Sequence, residues 1–219
     1  VSRDSLDPHY LIGTGKADDI LAMARDVSAK IIIFDIPLNP IQGRNLEEHF
    51  NLKLMDRVEI ILDIFSKHAS SHEAKIQIEL AQLRYSLPRL TRMWTHLSRQ
   101  EGAMGVRGGP GEKQIEIDRR RIKDKMHLLN ERLGSIEQNR HTQRKSRGKN
   151  RIPRFTIVGY TNAGKSSLLN KLTDAGALVK DQLFSTLDSL SRKLVMPGGK
   201  EILLTDTVGF IRNLPHFLI

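Results

Sequence analysis

The chain has 219 residues, with 35 Lys or Arg, 25 Asp or Glu and no cysteine. That length holds one large domain or two small ones, each able to bury a core. The lack of cysteine excludes a disulfide framework and a thiolate metal site and fits a reducing, cytoplasmic setting, and no run of 18 apolar residues offers a membrane span. The net charge of +10 is concentrated: Arg89 to Arg154 carries 18 Lys or Arg against 7 Asp or Glu, whereas the rest holds 17 against 18. A solvated helix face would mix signs more evenly, so the expected partner of this segment is a polyanion.

Residues 1–72 read as a small α/β unit. Tyr10-Leu11-Ile12 reads as a strand end and Lys16 to Val27 as a helix with Asp18 and Asp19 in its first turn. Ile31 to Phe34 reads as a buried strand, and Pro37, Pro40 and Gly43 as turn signals. Asp56 to His68 has apolar positions at helical period, so a short parallel sheet with helices packed on it is expected. Gly13-Thr-Gly15-Lys16 lacks the full phosphate-loop spacing and reads as a strand-to-helix turn. His68 and His72, four apart, have no third ligand in view and read as a helix-end pair without metal.

Residues 73–147 are the most regular part. Ile76, Leu80, Leu83, Leu87, Leu90, Trp94 and Leu97 follow a strict alternating spacing of four and three. Ile115, Ile122, Met126, Leu129, Leu133 and Ile136 follow the same rule with one gap near Arg119. Between them residues 102–111 hold five glycines and Pro110, a stretch no helix favours. If the helices fold back antiparallel, partners should have a constant sum of position numbers. Positions 97 and 115, 90 and 122, 83 and 129, and 76 and 136 each sum to 212, and 87 with 126 and 80 with 133 sum to 213. The expectation is a two-helix arm about 43 Å long, kinked at Pro88, with Arg119 or Asp118 opposite Trp94. Either the tip is a bare connector, or Arg107, Gly108 and Gly109 with the basic face of Arg119, Arg120, Arg121, Lys123 and Lys125 contact folded RNA. Arg144 to Arg151 then reads as a basic linker.

Residues 148–219 contain Gly159-Tyr160-Thr161-Asn162-Ala163-Gly164-Lys165-Ser166-Ser167, the full G-x-x-x-x-G-K-[ST] pattern. A β-prone run, Phe155 to Val158, precedes it and a helical stretch, Ser167 to Leu172, follows, the context that makes a chance glycine turn the weaker reading. Glycines let backbone N–H groups close on phosphate oxygens at a helix N-terminus; Lys165 would meet the β and γ phosphates and Ser166 would meet Mg²⁺. Thr186 lies 20 residues beyond Ser166, and Asp206, opening Asp206-Thr207-Val208-Gly209, lies 20 beyond Thr186. Strands at Leu190 to Met196 and Glu201 to Thr205, joined by Pro197 to Lys200, should form a hairpin that presents Asp206 at a strand end. There Asp206 can hold Mg²⁺ as a Walker B carboxylate does, Gly209 can offer its N–H to a γ-phosphate, and Thr186 can close on the metal when that phosphate is present.

Gly159 to Ser166, Thr186 and Asp206 to Gly209 resemble the G1, G2 and G3 motifs of translation-factor-type GTPases. Together with Arg44 to Glu47 (RNLE), Glu79 to Leu90 (ELAQLRYSLPRL) and Gly108 to Arg121 (GGPGEKQIEIDRRR), they resemble the HflX family of ribosome-associated GTPases over nearly the whole chain. The resemblance implies an α/β class: a small N-terminal α/β domain, a long antiparallel two-helix hairpin with a glycine-rich tip, and a P-loop GTPase domain. It also implies GTP and GDP as ligands with Mg²⁺, the ribosome as partner through its 50S subunit and 23S rRNA, a monomer, and splitting or rescue of stalled ribosomes. Lys113 stands where the family motif usually has Thr, a change nothing in the sequence explains. Phe210 follows Gly209 where many GTPases place a water-orienting glutamine, so slow basal hydrolysis is expected. The chain starts at Val1 and stops at Ile219 with no N-K-x-D motif, so a fragment truncated before the base-reading motif is expected, weak or inactive by itself. Two rivals remain: a ribosomal RNA clamp whose nucleotide domain only tunes affinity, and an unrelated P-loop ATPase.

Overall fold

The computed structural model describes residues 7–90, 110–147, 152–173, 184, 187 and 190–211. It divides into two units, Val1–Ile61 with Gln82–Lys125, and Leu62–Ala81 with Met126–Ile219.

In the first unit, helix α1 (Thr14–Asp26) precedes strand β1 (Ile31–Phe34), helix α2 (Pro40–Phe50), strand β2 (Lys53–Asp56) and the start of helix α3 (Arg57–His68). The strands pair in parallel, from Ile31 opposite Lys53 to Phe34 opposite Asp56, with α2 as the crossover. The core gathers Ala17, Leu38, Leu46, Phe50 and Leu54.

Several local expectations change here. Leu11 has a left-handed φ of 66° and exchanges backbone hydrogen bonds with Asp7, whose carboxylate accepts from the His9 and Tyr10 N–H groups. Tyr10 to Ile12 is therefore a tight turn and not a strand end. Helix α1 begins at Thr14, which moves Asp18 and Asp19 beyond its first turn. Strand β1 alternates, with Ile31 and Ile33 exposed and Ile32 and Phe34 half-buried, because its sheet is covered on one face. Pro40 and Gly43 lie inside a helix. Asn39 caps it by accepting from the Gln42 N–H at 2.7 Å, Gln42 returns the bond to the Asn39 N–H at 3.1 Å, and Pro40 occupies the first turn, where its missing N–H costs nothing. His68 closes α3 and His72 opens helix α4 (His72–Ser86), so the two histidines belong to different helices.

Helix α4 stops at Ser86 and passes into a 3₁₀ turn at Leu87–Arg89. Pro88 thus ends the helix instead of only kinking it, since it has no N–H for the carbonyl one turn back. The turn is held by a buried polar cluster. Asp56, 3% exposed, accepts from the Leu38 N–H, from the Glu59 N–H at the start of α3 and from the Tyr85 hydroxyl. Arg89 stacks over the Tyr85 ring, 3.5 Å from its centroid, and donates to the Leu38 carbonyl at 2.5 Å, with its guanidinium 3.8 Å from Asp56. Burial, then the hydrogen bond to Asp56 and its charge, push the Tyr85 phenol well above its ordinary range, although Arg89 pulls the other way.

Helix α5 runs over Pro110–Arg147. It takes Pro110 and Gly111 from the expected tip loop, with the proline suited to a first helical turn; residues 102–109, like Trp94, lie outside the described residues. Leu129 is buried and Ile115, Ile122, Met126, Leu133 and Ile136 are half-buried. In the second unit Arg140 donates to Glu73 at 3.0 Å, a pair whose positions also sum to 213. Helix α4 buries Ile76 and Leu80 on the expected seam and Ala74, Ile78, Ala81 and Tyr85 on another face, so it is apolar on two sides.

The second unit also contains strand β3 (Arg154–Ile157), helix α6 (Lys165–Thr173) and strands β4 (Leu190–Val195) and β5 (Glu201–Asp206). The sheet order is β3-β5-β4, with β3 parallel and β4 antiparallel to β5. The β4–β5 hairpin turns at Gly198 and Gly199, with φ of 96° and 78°, angles that glycine adopts without strain. Asp206 ends the central strand, as the hairpin pattern requires.

Candidate nucleotide site

Strand β3 delivers the chain at Ile157 to a loop, and α6 starts at Lys165, so residues 158–164 wrap the N-terminus of a helix whose Leu169 is fully buried. The loop curls through Asn162 and Gly164, with φ of 58° and 81°; asparagine and glycine tolerate that region best. The Lys165 stem passes 3.7 Å from where a Cβ on Gly159 would stand, and its ammonium donates to the Tyr160 carbonyl at 2.8 Å. Lys165 is therefore folded back over the loop it would serve.

Ser166 lies one residue further along α6, and its hydroxyl donates to Asp206 Oδ2. Asp206 is 0% exposed, and its other oxygen accepts the Thr207 N–H at 2.9 Å. The Thr207 hydroxyl donates to the Ile157 carbonyl at 2.8 Å and ties the exit of β5 to the end of β3. The following residues lie against the loop: Phe210 N–H donates to the Gly159 carbonyl at 3.0 Å and Thr161 N–H to the Phe210 carbonyl at 2.9 Å. A Cβ on Gly209 would lie 2.5 Å from the Thr161 Cα, so only glycine fits this approach. Tyr160 and Phe210, joined by this parallel bridge, both remain exposed.

The structure thus brings together Gly159 to Ser167 and Asp206 to Gly209 in one place. It puts Arg119, Arg120 and Arg121 on the exposed surface of α5. Thr186, Arg107, Gly108 and Gly109 fall outside the described residues. Sequence reasoning missed the pairing of Thr161 with Phe210, which no pattern of side chains encodes, and the burial of Phe184 against Phe65. A positive φ at Phe184 has no sequence signal either.

Chemically, the site offers a helix N-terminus with backbone donors, one ammonium, and a hydroxyl set against a buried carboxylate. Ser166 and Asp206 are hard oxygen donors in contact with each other, a donor set that fits a Mg²⁺ ion taking its remaining ligands from water and phosphate. Among the described residues no group of three or more His, Asp or Glu gathers as a metal cage; a magnesium site completed by a phosphate does not need one.

Three family models match successive parts of the chain: GTP-binding GTPase N-terminal over residues 1–66, GTP-binding GTPase Middle Region over 68–147, and 50S ribosome-binding GTPase over 154–217. A protein named GTPase HflX from Lacrimispora saccharolytica is 50% identical over 218 residues, covering 100% of this chain and 51% of that relative. Its namesake from Escherichia coli K12 is 46% identical over 218 residues, again covering 100% of this chain and 51% of the relative. The chain therefore spans about half the length of the curated relatives it matches. Among solved structures, one described as the crystal structure of SsGBP and GDP complex aligns with a TM-score of 0.53 at 29% identity, covering 99% of this chain and 56% of that one.

Proposed function

The chain belongs to the HflX family of GTPases, and from that premise we propose that it acts as a GTP-hydrolysing switch that drives an RNA-contacting helical arm on the ribosome. The observation that carries this reading is the Ser166 hydroxyl set against the fully buried Asp206 beneath the phosphate loop. A carboxylate with no exposed surface is costly unless something of opposite charge compensates it.

In this reading the loop N–H groups from Tyr160 to Ser167 receive the phosphates, and Lys165 exchanges the Tyr160 carbonyl for their β and γ oxygens. Ser166 and Asp206 would hold Mg²⁺, with Thr186 as a further ligand in the triphosphate state, and the bound ion would supply charge neutralisation at the phosphates. Gly209 presents its N–H to the γ-phosphate, next to the Thr161–Phe210 pairing. Phe210 cannot orient the attacking water, so basal turnover is slow, about 10⁻⁴ s⁻¹ as for unassisted switch GTPases, and the ribosome supplies the acceleration. Guanine preference is taken from the family. The GDP bound to the similar solved protein supports a nucleotide here.

The arm comprises residues 73–147, between an N-terminal domain of residues 1–72 and the nucleotide domain from residue 148. The Glu73–Arg140 pair supports the antiparallel register. The charge excess, with Arg119 to Arg121 exposed, supports contact with 23S rRNA in the 50S subunit, to which Arg107, Gly108 and Gly109 would contribute. Splitting or rescue of stalled ribosomes in the cytoplasm is the corresponding outcome.

Lys165→Ala tests the switch. With ribosome binding and subunit splitting measured side by side, splitting is expected to disappear while binding persists. Unchanged splitting would leave only an RNA clamp.

A further inference from the structure

Strands β3 and β5 pair with Ile157 opposite Asp206, and the chain pairs again where Tyr160 lies opposite Phe210. On the β3 side Val158 and Gly159 span that interval, whereas on the β5 side Thr207, Val208 and Gly209 span it. The exit of β5 therefore carries one extra residue, a bulge in a parallel pair. A bulge interrupts the ladder and takes backbone groups from their regular partners, which must be replaced. Leu203 N–H donates to the Pro153 carbonyl at 2.9 Å, and in a parallel ladder this donation recurs at every second residue, so the Ile157 carbonyl is due the Thr207 N–H. The observed bonds are different. The Thr207 hydroxyl, not its N–H, reaches the Ile157 carbonyl, at 2.8 Å, and the freed N–H donates to Asp206 Oδ1 at 2.9 Å. Asp206 Oδ2 accepts from the Ser166 hydroxyl, so both carboxylate oxygens are held.

We propose that Thr207 is a positioning residue for the magnesium ligands: its hydroxyl replaces one rung of the ladder and so frees its N–H to fix the Asp206 carboxylate against Ser166. The inference rests on the reading of Gly159 to Ser166 with Asp206 as a nucleotide and magnesium site. Without the hydroxyl, the Ile157 carbonyl is a half-buried acceptor that lacks its donor, and the regular ladder would hand it the Thr207 N–H. That bond can form only at the expense of the one to Asp206, which would leave the Ser166 hydroxyl to orient the carboxylate. Mg²⁺ demands near-ideal octahedral geometry, so a carboxylate turned from its set position holds the ion less well. Loss of a hydrogen bond that orients a metal-binding carboxylate typically costs about 10- to 100-fold in metal affinity. Nucleotide held without metal draws on the loop N–H groups and Lys165 and leaves Asp206 out, so it should not feel the change.

The test uses the full-length protein and measures affinity for a non-hydrolysable fluorescent GTP analogue across a Mg²⁺ titration, and for fluorescent GDP in EDTA. The proteins compared are wild type, Thr207→Val, Thr207→Ser, Asp206→Asn and the Thr207→Val/Asp206→Asn double variant. Thr207→Val keeps the shape and removes the hydroxyl. It is expected to raise the Mg²⁺ concentration at half-maximal analogue binding about tenfold, while GDP affinity in EDTA stays within about twofold. Thr207→Ser, which keeps the hydroxyl, should remain near wild type. In the Asp206→Asn background Thr207→Val should add nothing, since it acts through that carboxylate. A hydroxyl that serves only the fold would lower the urea midpoint and leave the Mg²⁺ requirement unchanged. That result, an equal loss for GDP in EDTA, a full Thr207→Val shift without the Asp206 carboxylate, or a serine variant as impaired as the valine one would overturn the inference. If circular dichroism shows Thr207→Val unfolded, Thr207→Ala takes its place with the same expectation, and loss of the fold in both would overturn the inference as well. Failure of the wild-type protein to bind either nucleotide, or analogue binding that is the same with and without Mg²⁺, would instead overturn the nucleotide and magnesium reading underneath.

Discussion

Asp56 and Asp206 occupy equivalent places in two small sheets. Each is the last residue of its strand, each faces a parallel neighbour, Phe34 or Ile157, and they are 3% and 0% exposed. Their surroundings differ in one respect. Asp56 is saturated by groups that belong to the fold: two backbone N–H donors, a phenol and a guanidinium. The partners observed for Asp206 are neutral, one hydroxyl and the N–H of the next residue. A carboxylate at the end of a parallel strand becomes structural when the chain supplies its counter-charge and functional when the counter-charge must come from outside. The phosphate loop repeats the second pattern, since Lys165 rests on a carbonyl that a phosphate would replace.

The comparison breaks first at Asp56. Asp56→Ala leaves the largely buried Arg89 without its carboxylate and removes the acceptor of the Tyr85 hydroxyl. A loss of about 3–5 kcal/mol is expected in urea unfolding, with nucleotide affinity unchanged in whatever fraction remains folded. Asp206→Asn should do the reverse. An amide still fills the space between Ser166 and Thr207, so stability holds or rises, whereas hydrolysis falls about 10²- to 10³-fold, as when a preorganised electrostatic contact is lost. Comparable stability losses in the two variants would show that both carboxylates are structural.

The half of this contrast at the candidate nucleotide site was legible in the sequence and the Asp56 half was not. Gly159 to Ser166 and the hairpin before Asp206 are encoded locally, by glycines and alternating residues within short windows. The Asp56 cluster joins residues 18 and 29 positions apart, and no local period relates Leu38, Asp56 and Tyr85. Helix α2 was within reach: Asn39-Pro40-Ile41-Gln42 is a cap, first-turn proline and returning glutamine, but Pro40 and Gly43 counted as breakers outweighed it. Strand β2, four residues with Lys53 at one end and Asp56 at the other, is too short to show alternation. On α4 the seam through Ile76 and Leu80 stood out, whereas the second face relies on Ala74 and Ala81, which weigh little in a hydrophobic pattern although their small size permits close packing. Long-range pairings and small residues account for most of what the sequence left hidden.

Tyr85→Phe sharpens the comparison at its finest point, because it removes one of the Asp56 partners and leaves the others in place. Near neutral pH the loss should be about 1–3 kcal/mol, the cost of one buried hydrogen bond to a charged acceptor. Alkaline titration then separates the phenol from the rest of the cluster. In the unfolded chain Tyr85 ionises near its ordinary value of 10.0, whereas in the fold burial and the Asp56 charge hold it neutral far above that. Above that ordinary value the unfolded state releases a proton that the folded state keeps, so wild-type stability declines with pH, by up to about 1.36 kcal/mol per unit. The variant has no phenol at this position and escapes that part of the decline. The gap between the two proteins should therefore narrow as pH rises past 10.0, read from urea midpoints at matched ionic strength. Parallel curves across that range would mean that the Tyr85 hydroxyl is not held against Asp56 in solution, and the saturated carboxylate would lose one of its four partners.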